Sequence, residues 1–178
     1  MLTLKKLHLR RTFELNSNLL IVGAGQYGMI VYEIARSIGS FDRIDFLDDN
    51  KEVAVGKLAD YEKFSDAYHY AIAAIGNTEI RKRWTQKLED ASYNIPVLIS
   101  PKAYVSPSAS LEKGVVVEPM AVVHARSVVG KGSIISANAT VNHNSECGAF
   151  CHVDCGAVVA SNVKLPDETN VTYGVVFL

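Results

Sequence analysis

The chain has 178 residues, enough for one large domain or two small ones, and its 48% apolar and 21% charged residues exclude a disordered or collagen-like chain. With 18 basic and 19 acidic residues the net charge is −1, which excludes a protein that binds nucleic acid through a strong basic field. No window contains the ~18 uninterrupted apolar residues of a membrane-spanning helix, so no membrane span is expected.

Residues 1–18 form a basic extension that includes Lys5, Lys6, Arg10 and Arg11. They lack the apolar stretch and the small-residue cleavage site of a secretory signal. Three cysteines in a chain of this length do not make a disulfide framework. We therefore expect a cytoplasmic location.

Residues 19–100 alternate between short apolar runs and amphipathic stretches. The run Leu19–Val22 ends in glycine, which is typical of a buried parallel strand, and Gln26–Ile38 places apolar residues at helical spacing. Further strands are predicted at 43–47, 71–75 and 96–99, and a second helix at about 78–91. This alternation predicts a Rossmann-like α/β lobe, in which helices cover a small parallel sheet.

The composition changes at Pro101, because only 10 of the 37 charged residues follow Lys102. Proline also moves the preceding residue, Ser100, out of the helical region. We therefore predict three segments. They are the basic extension at 1–18, the α/β lobe at 19–100 and a second domain at 101–178.

The second domain repeats with a period of six residues over twelve unbroken hexads. One position of each hexad is always aliphatic or cysteine, and the position four residues later is small or β-branched. The first set is Val105, Leu111, Val117, Val123, Val129, Ile135, Val141, Cys147, Val153, Val159, Leu165 and Val171. A period of six does not fit a helix face and is typical of short strands joined by tight corners in a parallel β-solenoid. The alternative is a valine-rich antiparallel sandwich, whose irregular turns would not keep this phase.

Gly23, Gly25 and Gly28 form a G-x-G-x-x-G pattern between the first strand and the first helix. Such glycines permit a tight turn and a close approach of phosphate to the start of the helix. Asp48 and Asp49 follow about 20 residues later, where a redox dinucleotide site carries its acidic residue. The pattern alone fits either a redox dinucleotide site or a glycine turn needed only for packing.

His143 occupies the third place of the seventh hexad, where the side chain faces a corner. Imidazole titrates near neutral pH, so this histidine is suited to act as a general base. His152 follows nine residues later, which is half a coil, and we expect it to project from a different face. Polar residues are also common at solenoid corners because corners are exposed, so the pattern alone leaves both interpretations open.

Cys147, Cys151 and Cys155 raise the question of a metal site. Cys147 and Cys151 fall on inward positions, and cysteines strung along strands do not form the loop-borne pairs typical of zinc sites. We interpret His124 as a surface or subunit-interface residue. No metal site is expected.

The hexads resemble the left-handed parallel β-helix of hexapeptide-repeat acyltransferases, in which three hexads make one triangular coil. The order of motifs is similar to that of sugar O/N-acyltransferases of the sialic acid O-acetyltransferase type, which include acetyltransferases of nucleotide-linked 4-amino-sugars. The motifs are LLIVGAG from Leu19, FLDDN from Phe46, AIGN from Ala74 with Arg81, SPKA from Ser100, and the hexads. The resemblance implies an all-β left-handed β-helix after the α/β lobe. It also implies an enzyme that transfers an acyl group from acyl-CoA, in the first place acetyl-CoA, to an amino or hydroxyl group of a sugar or nucleotide sugar.

The resemblance further implies roles for individual residues. His143 matches the general base, and His152 matches a second histidine near the acyl donor and acceptor. Gly156 and Ser161 match the stretch whose backbone N–H groups bind acyl-CoA, with Ser161 in the place of a glycine. The acceptor would bind the lobe through Gly23, Gly25, Tyr27, Gly28, Asp48, Asp49, Gly76 and Asn77. The family also implies a homotrimer with its sites between subunits.

Two departures from the family pattern favour an alternative function. The family often has a carboxylate beside the catalytic histidine, whereas Asn142 and Asn144 flank His143. Only 35 residues follow His143, where relatives usually carry one or two more coils. The alternative is a non-catalytic sensor or scaffold that binds a sugar nucleotide.

Overall fold

The computed structural model describes residues 17–178, so most of the predicted basic extension lies outside the described residues. The α/β lobe contains β1 (Leu19–Val22), α1 (Gln26–Ile38), β2 (Ile44–Leu47), β3 (Ala54–Gly56), a 3₁₀-helix (Leu58–Phe64), β4 (Tyr70–Ala73) and α2 (Thr78–Asp90). Its four strands are parallel and lie in the order β3-β2-β1-β4. Among residues 17–178, no helix is long and apolar enough to cross a membrane.

The rest of the chain is a solenoid of two-residue strands, one in each hexad. The strands are β5 (Leu98–Ile99), β6 (Tyr104–Val105), β7 (Ser110–Leu111), β8 (Val116–Val117), β9 (Val122–Val123), β10 (Val128–Val129), β11 (Ile134–Ile135), β12 (Thr140–Val141), β13 (Glu146–Cys147), β14 (His152–Val153), β15 (Val158–Val159), β16 (Lys164–Leu165), β17 (Asn170–Val171) and β18 (Val176–Phe177). Each strand pairs in parallel with the strand three hexads further on, so three hexads make one coil. The predicted parallel solenoid is confirmed, and the antiparallel sandwich is excluded.

The strands stack into three faces. Face 1 contains β5, β8, β11, β14 and β17, face 2 contains β6, β9, β12, β15 and β18, and face 3 contains β7, β10, β13 and β16. We call the corner between faces 1 and 2 the first corner, that between faces 2 and 3 the second, and that between faces 3 and 1 the third. In a triangular cross-section each corner lies opposite one face, so the second corner lies opposite face 1.

The predicted inward residues form the core of the solenoid. From Val117 to Val171 all of them are 0–3% exposed, and the first two, Val105 and Leu111, are partly buried against the same cluster. Cys147 and Cys151 belong to this core, as predicted. Burial raises the pKa of the Cys147 thiol to about 12, so this side chain packs as a neutral group. Residues 17–178 contain no group of three or more His, Cys, Asp or Glu side chains that could hold a metal ion.

The corner geometry explains the asparagine that follows His143 and the one at the equivalent place one coil later. Asn144 and Asn162 adopt the left-handed backbone conformation, with φ of 57° and 60°. Asparagine is one of the few residues besides glycine that adopts this conformation routinely. Their backbone N–H groups donate to Ala125 and His143 of the preceding coil, at 3.0 and 3.2 Å. These bonds keep successive corners in register.

The lobe packs against face 1 of the solenoid. Leu98 and Val116, which are outward residues of that face, share an apolar cluster with Ile34 of α1. Arg81 of α2 is 2% exposed and joins the two parts. Its guanidinium donates to the backbone carbonyls of Ile75, Gly76, Gly132 and Phe150. Because a buried charge is costly to leave unpaired, these four bonds fix the lobe on the third corner of the solenoid.

One predicted strand belongs to a different sheet. The strand predicted at 96–99 is β5, and it pairs with β8 of the solenoid instead of joining the lobe. A short apolar run looks the same in either sheet, so the sequence pattern could not assign it. The lobe contains β3 and the 3₁₀-helix instead, and both are too short and too exposed to show a clear hydrophobic period.

Candidate functional site

The glycine loop after β1 has one open position and two constrained ones. Gly23 has φ of 103°, a conformation that glycine adopts without steric cost. A Cβ at Gly28 would lie 2.1 Å from the carbonyl oxygen of Gly23, so only glycine fits there. A Cβ at Gly25 would meet nothing within 4 Å. Gly23 and Gly28 therefore shape the loop, whereas Gly25 leaves its backbone accessible.

Asp48 and Asp49, which follow β2, both accept hydrogen bonds from the backbone. Asp48 accepts from the N–H groups of Ala24 at 2.9 Å and Asn50 at 2.8 Å. Burial alone would raise the pKa of Asp48, but these two bonds and nearby lysines outweigh it and hold the pKa below its usual value. Asp49 accepts from Leu58 at 3.0 Å and remains exposed. Asp48 therefore anchors the glycine loop to β2.

Gly76 and Asn77 lie at the same edge of the sheet, after β4. The side-chain oxygen of Asn77 accepts from the N–H of Ile80 at 3.0 Å and caps α2. A Cβ at Gly76 would face open space. The strand order reverses between β1 and β4, and the crevice at such a reversal is the usual ligand site of a parallel α/β sheet.

Tyr27, in the first turn of α1, is partly buried, with its hydroxyl end directed inward. Its hydroxyl is inaccessible to solvent and has no hydrogen-bond partner among the described residues. Burial raises the pKa of Tyr27 far above its ordinary value, and the nearby carboxyl group of Glu118 raises it further. The hydroxyl of Tyr27 is therefore not available to hydrogen-bond a ligand, and its predicted place among the acceptor-binding residues stays a prediction. The Tyr27 side chain packs against the apolar cluster shared by the lobe and the solenoid.

His143 is exposed at the second corner, and both of its ring nitrogens have partners. Nε2 lies 3.1 Å from Oγ of Ser161, the equivalent residue one coil later. Nδ1 lies 3.0 Å from the side-chain amide of Asn144. The same amide nitrogen donates to Asn162 at 3.4 Å, which holds Asn144 beside the ring. The structure thus brings together two predicted site residues, His143 and Ser161.

His152 is half-buried on face 1. Its Nε2 lies 3.0 Å from Oγ of Ser136 and 3.9 Å from a carboxylate oxygen of Asp154. Burial lowers the pKa of His152 below its usual value, although Asp154 partly opposes this shift. The lowered pKa favours the neutral ring, in which one nitrogen donates and the other accepts.

Glu118 belongs to the surroundings of His152, although the sequence pattern did not predict it as a site residue. It is 6% exposed, at the first corner, and its Oε2 accepts from the N–H of Ala137 at 3.0 Å. Burial raises the pKa of Glu118, and its hydrogen bonds with Ala137 and Ser136 only partly offset that rise. Glu118, Ser136 and Asp154 follow one another at intervals of three hexads, and this spacing is the signal that could have found the cluster.

The structure does not bring His143 and His152 together within one chain. His143 and Ser161 lie at the second corner, which is opposite face 1 across the packed core. His152 lies on face 1, and Gly156 lies at the exposed first corner beside it. The four residues can form one site only if two chains contribute to it.

Comparison with known proteins identifies the family. Residues 18–88 match the family described as the PglD N-terminal domain. The acetyltransferase domain of PglB from Neisseria gonorrhoeae is 34% identical, with a TM-score of 0.88 over 90% of this chain and 82% of that one. A mutant of perosamine N-acetyltransferase from Caulobacter crescentus is 25% identical, with a TM-score of 0.81 over 90% of this chain and 88% of that one.

The chain belongs to the family of hexapeptide-repeat acetyltransferases that includes the PglB domain. The predicted fold class, an α/β lobe followed by a left-handed parallel β-helix, is confirmed. The predicted class of enzyme, an acyltransferase that uses acyl-CoA, is also confirmed. Such an enzyme has no use for a redox dinucleotide, and membership of the family speaks against a non-catalytic sensor.

The two kinds of glycine predict different stability effects. Gly28→Ala is expected to destabilise the protein by at least ~3 kcal/mol, because the new Cβ would overlap backbone that cannot move freely. Gly25→Ala is the matched control, with φ of −76° and open space around the new methyl group. Its expected cost is about 1 kcal/mol or less. Urea unfolding followed by the fluorescence of Trp84, the single tryptophan, measures both, and equal stabilities would contradict these roles.

Proposed function

We propose that this chain transfers the acetyl group of acetyl-CoA to an amino or hydroxyl group of a nucleotide-linked sugar, with His143 as the general base. The position of His143 carries the proposal, because it is exposed at a corner of the family fold with Nε2 directed at a hydroxyl group. The PglB domain has been solved in complex with acetyl coenzyme A, and perosamine N-acetyltransferase in complex with CoA and GDP-perosamine. We infer the same classes of donor and acceptor here.

Asn144 takes the place that a carboxylate often has beside the base. The oxygen and nitrogen of an amide exchange places when the group rotates by half a turn. With its oxygen toward the ring, and with the Asn162 amide turned as well so that its nitrogen faces Asn144, Asn144 accepts the Nδ1–H of His143 and leaves the lone pair of Nε2 free. This is the tautomer that can take a proton from the acceptor while it attacks the thioester. A neutral amide stabilises the resulting imidazolium less than a carboxylate would.

The acceptor would bind at the crevice of the lobe. The first turn of α1 begins directly after Gly25, and the free N–H groups of a helix start attract phosphate. Open backbone at Gly25 and Gly76 leaves space for the nucleotide, and exposed Asp49 can accept hydrogen bonds from its hydroxyl or N–H groups. Asp48 and Asn77 would support this site by holding the loop and the helix in place.

A homotrimer is supported by the composition of face 2. The outward residues of face 2 carry no charge and are Tyr104, Val122, Thr140, Val158 and Val176. Those of face 3 include Glu146 and Lys164, which form an ion pair at 2.8 Å. Part of face 1, including Leu98 and Val116, is covered by the lobe. Face 2 is therefore the face suited to pack against further copies of the chain.

Three chains with face 2 turned toward a common axis would complete the site. The two edges of face 2 are the first and second corners, so the second corner of one chain would lie beside the first corner of the next. His143 and Ser161 of one chain would then face Gly156 and His152 of the partner subunit. Three equal sites result, each built from two chains.

Replacing the base tests the proposed function. His143→Ala is expected to lower kcat for acetyl transfer by ~10²–10⁴-fold, the usual contribution of a general base, with little change in KM for acetyl-CoA. Release of the CoA thiol is measured with GDP-perosamine and with a panel of other nucleotide-linked sugars. His124→Ala, an exposed histidine at the same corner, is the matched control. Undiminished turnover in His143→Ala would refute the base, and no turnover of any sugar by the native protein would refute the acceptor class.

A charged substitution on face 2 tests the proposed homotrimer. Val158→Arg introduces a cation on face 2 and is expected to yield monomers whose turnover is lower by about tenfold or more, because each site loses half of its groups. Val128→Arg makes the same change at an outward position of face 3 and is expected to keep both the trimer and the turnover. Chromatography with light scattering measures the mass in solution. A fully active monomer would contradict the shared site.

A further inference from the structure

His152 uses one ring nitrogen inside the protein and leaves the other one free. Its Nε2 lies 3.0 Å from Oγ of Ser136, whereas Nδ1 has no hydrogen-bond partner within residues 17–178. The ring is half-buried on face 1, beside the first corner. A neutral imidazole carries its proton on one nitrogen only. The group that meets Nε2 therefore decides whether Nδ1 donates or accepts a hydrogen bond.

The hydroxyl of Ser136 connects His152 to Glu118, and we call these three side chains the first-corner relay. Ser136 is 3% exposed, and its Oγ lies 3.5 Å from Oε1 of Glu118. A hydroxyl group has a single proton, so Ser136 can donate to only one of its two neighbours and must accept from the other. The relay therefore has two polarities. Nδ1 of His152 is a donor in one of them and an acceptor in the other.

The turn of the chain accounts for one oxygen of Glu118 and not for the other. Oε2 accepts from the N–H of Ala137 at 3.0 Å, and Oε2 of Glu112 makes the equivalent bond with the N–H of Lys131 at 2.8 Å at the third corner. Serine takes the place of Glu118 one coil earlier and one coil later, so the corner does not require a carboxyl group. Oε1 contacts Ser136. This contact is the one that a purely structural role leaves unexplained.

The surroundings of Glu118 favour a neutral carboxylic acid. The residue is 6% exposed, and it forms no ion pair within residues 17–178. The titratable groups that face it are Asp154, Cys155 and Tyr173 at the first corner and Tyr27 on α1. None of these groups is a cation, and the guanidinium of Arg81, on α2, is bound by backbone carbonyls. Burial raises the pKa of Glu118, and Asp154 raises it further.

We propose that Glu118 is a positioning residue that keeps the proton of His152 on Nδ1. Since Oε2 accepts from Ala137, the neutral acid carries its proton on Oε1. Glu118 then donates to Ser136, Ser136 donates to Nε2 of His152, and Nδ1–H remains as a free donor. This inference rests on the proposed function, in which His152 lies beside the acyl group. Nδ1–H would stabilise the negative oxygen that forms when the acceptor attacks the thioester, while His143 takes the proton of the acceptor.

Ionisation of Glu118 reverses the relay. A carboxylate only accepts, so Ser136 turns its proton to Oε1, and Nε2–H of His152 donates to Ser136. Nδ1 then presents a lone pair to the negative oxygen, which is unfavourable. The productive polarity is present below the raised pKa of Glu118 and is lost as the pH rises through it.

Glu118→Gln tests the relay without any substrate. Its amide oxygen can accept from Ala137, and its amide nitrogen donates to Ser136 at every pH. The tautomer of His152 is measured by NMR of protein labelled with heavy nitrogen in its histidine rings, and His152→Ala identifies the signal. As the pH rises, we expect the proton to move from Nδ1 to Nε2 in the native protein and to stay on Nδ1 in Glu118→Gln.

Glu112→Gln is the matched control for this titration, because Glu112 makes the same kind of corner bond and has no contact with Ser136. It is expected to behave like the native protein. A native tautomer that is the same at every pH would overturn the role of Glu118. A tautomer that changes equally in Glu118→Gln would overturn it as well.

Turnover gives a second measurement that a purely structural role would not affect. Ionisation of Glu118 is expected to lower kcat of the native protein by ~10²-fold, the usual cost of one lost donor to the oxyanion, with little change in KM for acetyl-CoA. Glu118→Gln is expected to keep its kcat over the same pH range. An equal fall of kcat in both proteins would overturn the role of Glu118 in transfer.

The outcomes separate this proposal from the proposed function. Acetylation of a sugar without the pH-dependent shift of the His152 proton overturns the role of Glu118 and leaves the proposed function standing. The shift of the proton without turnover of any sugar supports the relay and overturns the acceptor class. The absence of both signals overturns both proposals.

Discussion

The parallel backbone hydrogen bonds between coils determine where every side chain of the solenoid lies. Because each strand pairs with the strand three hexads away, two residues separated by a full coil stack on each other, and two separated by half a coil lie on opposite sides. His143 and His152 are separated by half a coil. The aliphatic core between them is closed, so no side-chain rotation within one chain can join them. The proposed site, which uses both histidines, therefore requires contact between chains.

The position of the lobe leads to the same conclusion. Arg81, which is buried, and the partly buried side chain of Tyr27 hold the lobe against the solenoid, on the side of face 1. The proposed acceptor crevice consequently lies on the side of the coil that carries His152, and the base of the same chain is on the far side. An acceptor bound to one lobe would reach the base of the partner subunit. The first corner, with Glu118 and Asp154 beside His152, is then the wall of the site that faces the acceptor.

Much of this arrangement could be predicted from the sequence, because the period of six residues gives the face and the corner of each side chain. The same period would also have predicted the contact between His143 and Ser161, because residues separated by one full coil stack on each other. The capping role of Asn77 was also readable, since asparagine directly before a helix is a common cap. The burial of the Tyr27 hydroxyl could not be predicted, because it depends on how the lobe docks on the solenoid. The sheet to which β5 belongs could not be predicted either, because two apolar residues carry no information about their partner strand.

Complementation between two inactive chains tests the shared site most directly. Chains with His143→Ala and chains with His152→Ala are each expected to be inactive when assembled alone. In trimers formed from an equal mixture, about a quarter of the junctions join an intact His143 to an intact His152. We expect about a quarter of the native turnover to return. A mixture that forms mixed trimers and is no more active than either variant alone would contradict the account.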